Sequence, residues 1–212
     1  MMKLCIATGN MGKVREMREL LGDLPIEILC LSDFENIEEV PETGTSFLEN
    51  CCQKVTGYGT QTGCICVGDD SGLCVDALNG GPGIYSARFA DTDKEKCEKL
   101  LALMENERER SAHFCCFASV YFPQGVPDSV KNAKDGDFHI VSENIVSCNG
   151  VLEGGIGYEC RGDEGFGFDP VFTVGDRHLA ELSSEEKNAI SHRGKAMRKI
   201  RKILELVIKD QG

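Results

Sequence analysis

Apolar and polar positions along this chain follow two periods, and the places where one gives way to the other predict its elements. Lys3 to Ala7 is a short apolar run of the kind that forms a buried strand. Val14, Met17, Leu20 and Leu21 then recur at helical spacing, and Gly22 supplies a stop. Ile26 to Leu31 predicts a second strand. From Thr45 to about Thr62, the residues Phe47, Cys51, Val55 and Tyr58 make one apolar stripe, which predicts a helix. Cys64 to Val67 predicts a buried strand that ends in Gly68-Asp69-Asp70.

Thr92 with Glu95 three residues on is a capping box, opening a helix that carries Cys97, Leu100, Leu101 and Met104. Ala112 to Phe122 is a long apolar run, and Phe138 to Cys148 alternates loosely, as a half-exposed strand would. Between them, Pro123 to Asp137 is polar, with two prolines and two glycines, and predicts a loop. The last helix runs from about His192 to Lys209, with Met197, Ile200, Leu204, Val207 and Ile208 on one face. Helices alternating with strands early, and longer strands later, predict a mixed α/β sheet. A length of 212 residues suits a single domain spanning 1–212, with room for two lobes.

Composition narrows the partners. The net charge of −12 repels a phosphate backbone, so nucleic acid is not the expected partner. A small anion in one cleft remains compatible, because local cations and a metal can reverse the field there. No apolar run reaches the length of a membrane span, and Met1 to Ala7 is too short for a signal peptide. A soluble, cytoplasmic protein is expected. The twelve cysteines sit mostly in apolar, strand-like runs and show no C-x-x-C pair. They read as reduced core residues rather than a disulfide framework, a zinc site or a nucleophile.

Four clusters carry candidate chemistry. Thr8-Gly9-Asn10-Met11-Gly12-Lys13 lies between a strand and a helix, where amide N–H groups and a helix N-terminus can face an anion. It is not a Walker loop: the glycine spacing is two residues short, and Val14 replaces the hydroxyl that would hold a metal. Standing alone, it reads equally well as an ordinary strand–turn–helix connection. Asp69-Asp70-Ser71 places two acids on a buried strand, where they are costly unless they meet a cation or a proton. Successive strand side chains face opposite ways, so the two have different tasks. Glu42, ahead of a helix, is a second candidate oxygen ligand of the type magnesium takes. Gly165-Phe166-Gly167-Phe168-Asp169 could stack aromatics on a purine, although Phe-Gly-Phe taken alone more often means core packing at a bend. In Lys187-Asn188-Ala189-Ile190-Ser191-His192-Arg193, a Ser183–Glu186 capping box puts Lys187 on a short helix, and Ser191, His192 and Arg193 open the last one. A donor-rich pocket of Lys187, His192 and Arg193 would favour bases with an acceptor at position 6, such as hypoxanthine and xanthine. His113 precedes a buried strand, while His139 and His178 stand in polar surroundings, and none of the three is assigned a role.

Taken together, the segments at 8–13, 42–50, 69–78, 80–90, 165–172 and 185–196 resemble the inosine triphosphate pyrophosphatase family, also called Ham1-like, in the family's order. That resemblance implies an elongated two-lobed α/β fold around a long mixed sheet flanked by helices, with the site in the cleft between lobes. It implies hydrolysis of ITP, dITP or XTP to the monophosphate and pyrophosphate, with magnesium, or manganese as its substitute, and a homodimer. Carried over, Thr8, Gly9, Asn10 and Lys13 bind the triphosphate, and Lys54 reaches its phosphates. Glu42 and Asp70 hold the metal, Asp70 is also the base for the attacking water, and Asp69 supports it. Ser71 contacts substrate, Phe166, Gly167, Phe168 and Asp169 line the base pocket, and Lys187, His192 and Arg193 complete it. Phe168 stands where the family commonly has Tyr, Cys51 and Cys52 replace small residues, and the loop at Gly125–Asp137 is longer than usual. Two other readings stay open: a pyrophosphatase for other bases, and a nucleotide sensor without catalysis.

Overall fold

The computed structural model describes residues 1–134 and 137–210. In chain order the elements are β1 (Met2–Ile6), α1 (Met11–Leu21), β2 (Ile26–Cys30), α2 (Phe47–Thr62), β3 (Ile65–Val75), β4 (Gly81–Pro82), α3 (Asp93–Leu103), β5 (Ser111–Tyr121), α4 (Asp128–Lys131), β6 (His139–Ile140), β7 (Ile145–Ile156), β8 (Phe172–Val174), β9 (Arg177–His178), α5 (Ser184–Ile190) and α6 (His192–Asp210). The strands form one mixed sheet in the order β2-β1-β3-β5-β7-β8-β9, with β4 added to β3 and β6 to β7. β1 is parallel to β2 and β3; the pairings beyond are antiparallel.

Three strands, β3, β5 and β7, are long enough to run through two cores. In the first lobe α1 and α6 cover one face, burying Val14, Met17, Met197, Ile200 and Leu204 against Leu4, Val67, Val120 and Val146. On the opposite face α2 buries Val55 and Tyr58 against Cys5 and Cys66. In the second lobe the far ends of the same strands, at Leu73, Phe114 and Leu152, meet Leu100 and Met104 of the α3 region together with Phe168, Phe172 and Leu179. The cleft between the cores crosses β3 at Asp69-Asp70-Ser71, so the expected two-lobed mixed sheet is observed.

The helices start and stop where their ends are satisfied. Asn10 caps α1 by accepting from the Gly12 and Lys13 amides, at 2.9 and 3.2 Å. Ser46 caps α2 through the Glu49 amide, and Gly63, in the left-handed region, ends it. The capping boxes at Thr92–Glu95 and Ser183–Glu186 are both formed. α6 lies close on β7: a methyl group on Gly150 would sit 2.8 Å from the Ala196 nitrogen, so glycine there sets the height of the helix start over the sheet.

Three expectations need correction. β3 does not end at Asp70; it continues to Val75, paired residue by residue with Ala112–Tyr121 of β5, because the acids on it are matched by cations and an amide rather than by solvent. Phe138–Cys148 is not one strand but a hairpin: β6 pairs with the start of β7, and the polar Ser142-Glu143-Asn144 makes the turn. His178 is buried, not polar-exposed, and its Nδ1 lies 2.7 Å from the Pro170 carbonyl. The 123–137 segment carries the one-turn α4, whose Val130, with Val126, is buried in the first-lobe core. Its residues 135 and 136 lie outside the described residues. All twelve cysteines are free thiols, and eight of them are buried.

Candidate active site

The cleft holds a cavity of about 270 Å³. Side chains from every cluster singled out in the sequence line it: Thr8, Asn10 and Lys13 from the first turn; Glu42; Lys54; Asp70 and Ser71; Phe166, Gly167, Phe168 and Asp169; and Lys187, His192 and Arg193. Two expected residues do not reach it. Gly9 is an exposed position at the loop tip, and Asp69 is fully buried beneath the floor.

The pleat of β3 separates the two acids. Asp69 Oδ2 faces the core side and receives Lys13 Nζ at 3.1 Å and Arg193 Nε and Nη2 at 3.3 and 3.2 Å. Burial by itself pushes this carboxyl up, but Arg193, Lys13 and Lys54 together hold it well below the usual carboxylate range. Asp70 faces the cavity. Its Oδ2 accepts from Asn50 Nδ2 at 3.1 Å, and its Oδ1 from the Ser71 amide at 3.1 Å. Burial raises its pKa, the Glu42 carboxylate adds to that, and Lys54, Lys13 and Asn50 only partly offset it.

α2 supplies the groups beside Asp70. Asn50 and Lys54 fall on the same stripe as Phe47, Cys51, Val55 and Tyr58, so they are carried inward and are nearly inaccessible. Asn50 Oδ1 also accepts from the Gly44 amide at 2.7 Å, tying the 42–45 segment to the helix. Lys54 Nζ pairs with Glu42 Oε1 at 2.7 Å and donates to the Asp69 carbonyl at 3.1 Å. Burial lowers the Lys54 pKa, but Asp69 and Glu42 more than reverse it.

On the other side of the cavity, buried charges form a connected network. Glu16, from α1, receives Lys187 Nζ at 2.6 Å and Arg193 Nη1 at 2.5 Å. Lys187 also reaches Asp169 Oδ2 at 2.7 Å, and Arg193 Nη2 donates to Ser71 Oγ at 2.8 Å. Burial raises the Glu16 pKa, yet Arg193 and Lys187 outweigh it and keep the carboxylate ionised below its usual range. The Phe166 ring lies 4.6 Å from Lys187 Nζ and 5.4 Å from the Arg193 guanidinium carbon. His192 stacks on Phe114 with centroids 4.6 Å apart, and burial, followed by the Arg193 charge, holds the imidazole neutral.

Sequence reasoning missed Glu16, Asn50, Asp93 and Lys96, of which the last two also line the cavity. Asn50 carried a legible signal, a polar residue in register with an apolar stripe. Glu16 lies next to Met17 on the buried side of α1, but nothing local shows that its partners stand 171 and 177 positions away.

The donor set suits a divalent cation. Glu42 and Asp70 are hard oxygen donors on one cavity wall, and Asp70 is a buried carboxylate whose charge is incompletely compensated. Among the described residues no cluster of three or more His, Cys, Asp or Glu side chains gathers, so such an ion would take its remaining ligands from water and phosphate, as magnesium does. No helix among the described residues is long and apolar enough to cross a membrane.

Residues 4–203 match the model of the Ham1 family. The chain is 44% identical over 207 residues to a dITP/XTP pyrophosphatase of Bacillus anthracis, covering 94% of this chain and 95% of that one. It is 43% identical to a protein of the same name from Vibrio parahaemolyticus, over the same shares. Among solved structures it is similar to a HAM1 protein from Coxiella burnetii, with a TM-score of 0.79 and 37% identity over 97% of this chain and 99% of that one. The Ham1 protein of Staphylococcus aureus is similar at a TM-score of 0.76 and 34% identity, over 96% and 98%.

Proposed function

The chain belongs to the Ham1 family, and from that premise we propose that it is a nucleoside triphosphate pyrophosphatase that hydrolyses non-canonical purine nucleotides (dITP, ITP and XTP) to the monophosphate and pyrophosphate. One observation carries the reading: a buried, under-compensated Asp70 shares a cavity with Glu42 and with the Thr8–Lys13 turn.

Thr8, Asn10 and Lys13 of the first turn line the cavity, and Lys13 and Lys54 add charge, so the polyphosphate is held on the first-lobe side. Glu42 and Asp70 would hold magnesium, with manganese as a substitute; when bound, the ion supplies Lewis-acid charge to phosphate oxygens and to the attacking water. Asp70 takes the proton from that water. A carboxyl raised by burial is the better base for it, and Asn50 fixes its orientation. Asp69 acts beneath the floor, positioning Lys13 and Arg193. The purine lies against Phe166 with Gly167, Phe168 and Asp169 beside it.

Base selection rests on donors that are already fixed. Arg193 commits four of its five N–H groups to Asp69, Glu16 and Ser71, and Lys187 two of its three to Glu16 and Asp169. Each keeps one, held rigidly, for an acceptor such as a purine 6-oxo group, while an adenine amino group would meet donor against donor. A single working unit is proposed, because β3, β5 and β7 belong to both lobes. A homodimer is proposed on the resemblance and is checked by sedimentation; a cytoplasmic location is proposed from the sequence reading.

Pyrophosphate release is the test, measured on dITP, ITP, XTP, dATP and dGTP with magnesium and again after chelation. The expected result is turnover of the first three, lost on chelation and restored by magnesium or manganese. Turnover confined to standard nucleotides would point to another base preference, and tight binding with no release to a sensor.

A further inference from the structure

Resting on that reading of the base pocket, we propose that Asp93 is a positioning residue for purine selection: from the second lobe it fixes Gly167, and through Gly167 the two flanking phenylalanines. None of the six segments that carry the family resemblance includes Asp93.

Gly167 has φ +66, in the left-handed region, so its peptide groups turn away from the loop's own hydrogen bonding. Both are taken by α3. The Gly167 N–H donates to Asp93 Oδ2 at 2.8 Å, and its carbonyl accepts from Cys97 Sγ at 3.4 Å. Residues 93 and 97 are one helical turn apart and share a face, so a single side of one helix grips one peptide position from both ends. The capping box at Thr92 makes Asp93 the first residue of α3, which fixes where that carboxylate points.

The neighbours of Gly167 depend on this grip. Phe168 packs on Phe89 of the second lobe, centroids 5.8 Å apart. Phe166 is held toward the first lobe, its amide on Asp169 Oδ2 at 2.7 Å and its ring near Lys187. Gly167 is therefore the joint at which the loop passes from one lobe's anchors to the other's. Asp93 Oδ1 is engaged by Lys96 Nζ at 3.0 Å, so both carboxylate oxygens have partners. Although Asp93 lines the cavity, its role is to hold the loop rather than to accept a proton or a metal.

Four full-length proteins, the wild type with Asp93→Ala, Asp93→Asn and Cys97→Ala, are compared for pyrophosphate release from dITP and dATP, for Gly167 amide exchange by NMR and for thermal midpoint. Losing a charge-assisted hydrogen bond predicts that Asp93→Ala raises KM for dITP about tenfold while kcat stays within about threefold. The preference for dITP over dATP narrows by a similar factor, and Gly167 exchange accelerates. Asp93→Asn keeps an oxygen that can accept from Gly167 and recovers most of the loss, whereas Cys97→Ala costs about twofold, because a thiol is a weak donor. Unchanged KM and selectivity in Asp93→Ala overturn the proposal, as does an equal loss of kcat on both nucleotides accompanied by a lower thermal midpoint. If the wild type releases no pyrophosphate, the functional reading fails instead; calorimetric dITP affinity then decides, and equal affinity in wild type and Asp93→Ala overturns the positioning role.

Discussion

Asp69 and Asp70 are neighbours in the chain and opposites in the structure. On the core side of β3, Asp69 meets Lys13 and Arg193, and Arg193 continues to Glu16, Lys187 and Asp169. There each buried carboxylate has a cation within hydrogen-bonding distance. On the cavity side, Asp70 has an amide and a backbone N–H, with Lys54 committed to Glu42. The first region has matched its own charges and so behaves as architecture. The second has left one charge short of compensation, and that shortage is what a cation and a proton-yielding water can fill. Buried charge by itself therefore does not mark the reactive group; the reactive group is the one whose neighbours stop short of neutralising it.

The largest expected effect breaks the cavity side. Asp70→Asn should lower kcat about a thousandfold, within the range for loss of a general base, while calorimetry still detects nucleotide binding. A rate within tenfold of wild type would remove Asp70 from that role. Arg193→Met attacks the matched side, where stranding Glu16 and Asp69 should cost about 3–5 kcal/mol in denaturant unfolding. A variant as stable as wild type would show that the network is not structural. The smallest effect is the sharpest probe of the contrast. Glu16 is held ionised below the usual carboxylate range, so its pairs contribute fully above the unfolded value and lose that contribution as pH falls through the lowered folded one. Stability should therefore decline on the acid limb, and Glu16→Gln should flatten that limb. Parallel limbs for the two proteins would assign the acid loss to other groups.

Much of this contrast was legible in the chain. Adjacent acids in an apolar run imply opposite faces, and the helices at 11–21, 47–62 and 192–210 were announced by their apolar stripes. The six segments placed Glu42, Asp70, Lys187 and Arg193 around one cleft. What the chain could not show was which charges neutralise which. Glu16 looks like a surface acid until α5 and α6 return to it, and Arg193 looks like a free donor until Asp69 and Glu16 are seen to hold it. The full length of β3 was hidden for the same reason: Asp69 and Asp70 read as a strand end unless their distant partners are known. The hairpin at 138–148 was obscured differently, because two short strands around a polar turn mimic one alternating run.

The continuous pairing of β3 has a consequence for how tightly this arrangement is specified. Ten consecutive positions, Cys66 to Val75, are locked opposite β5, and Leu4 to Ile6 of β1 secure the other flank. A strand offers only two orientations, so a slip of a single residue would not perturb the two acids slightly; it would exchange them, turning Asp69 toward the nucleotide and sealing Asp70 among the cations. The pleat thus acts as a two-position selector, and inserting or deleting one residue between 66 and 69 is predicted to silence the enzyme while every side chain of the site is still encoded.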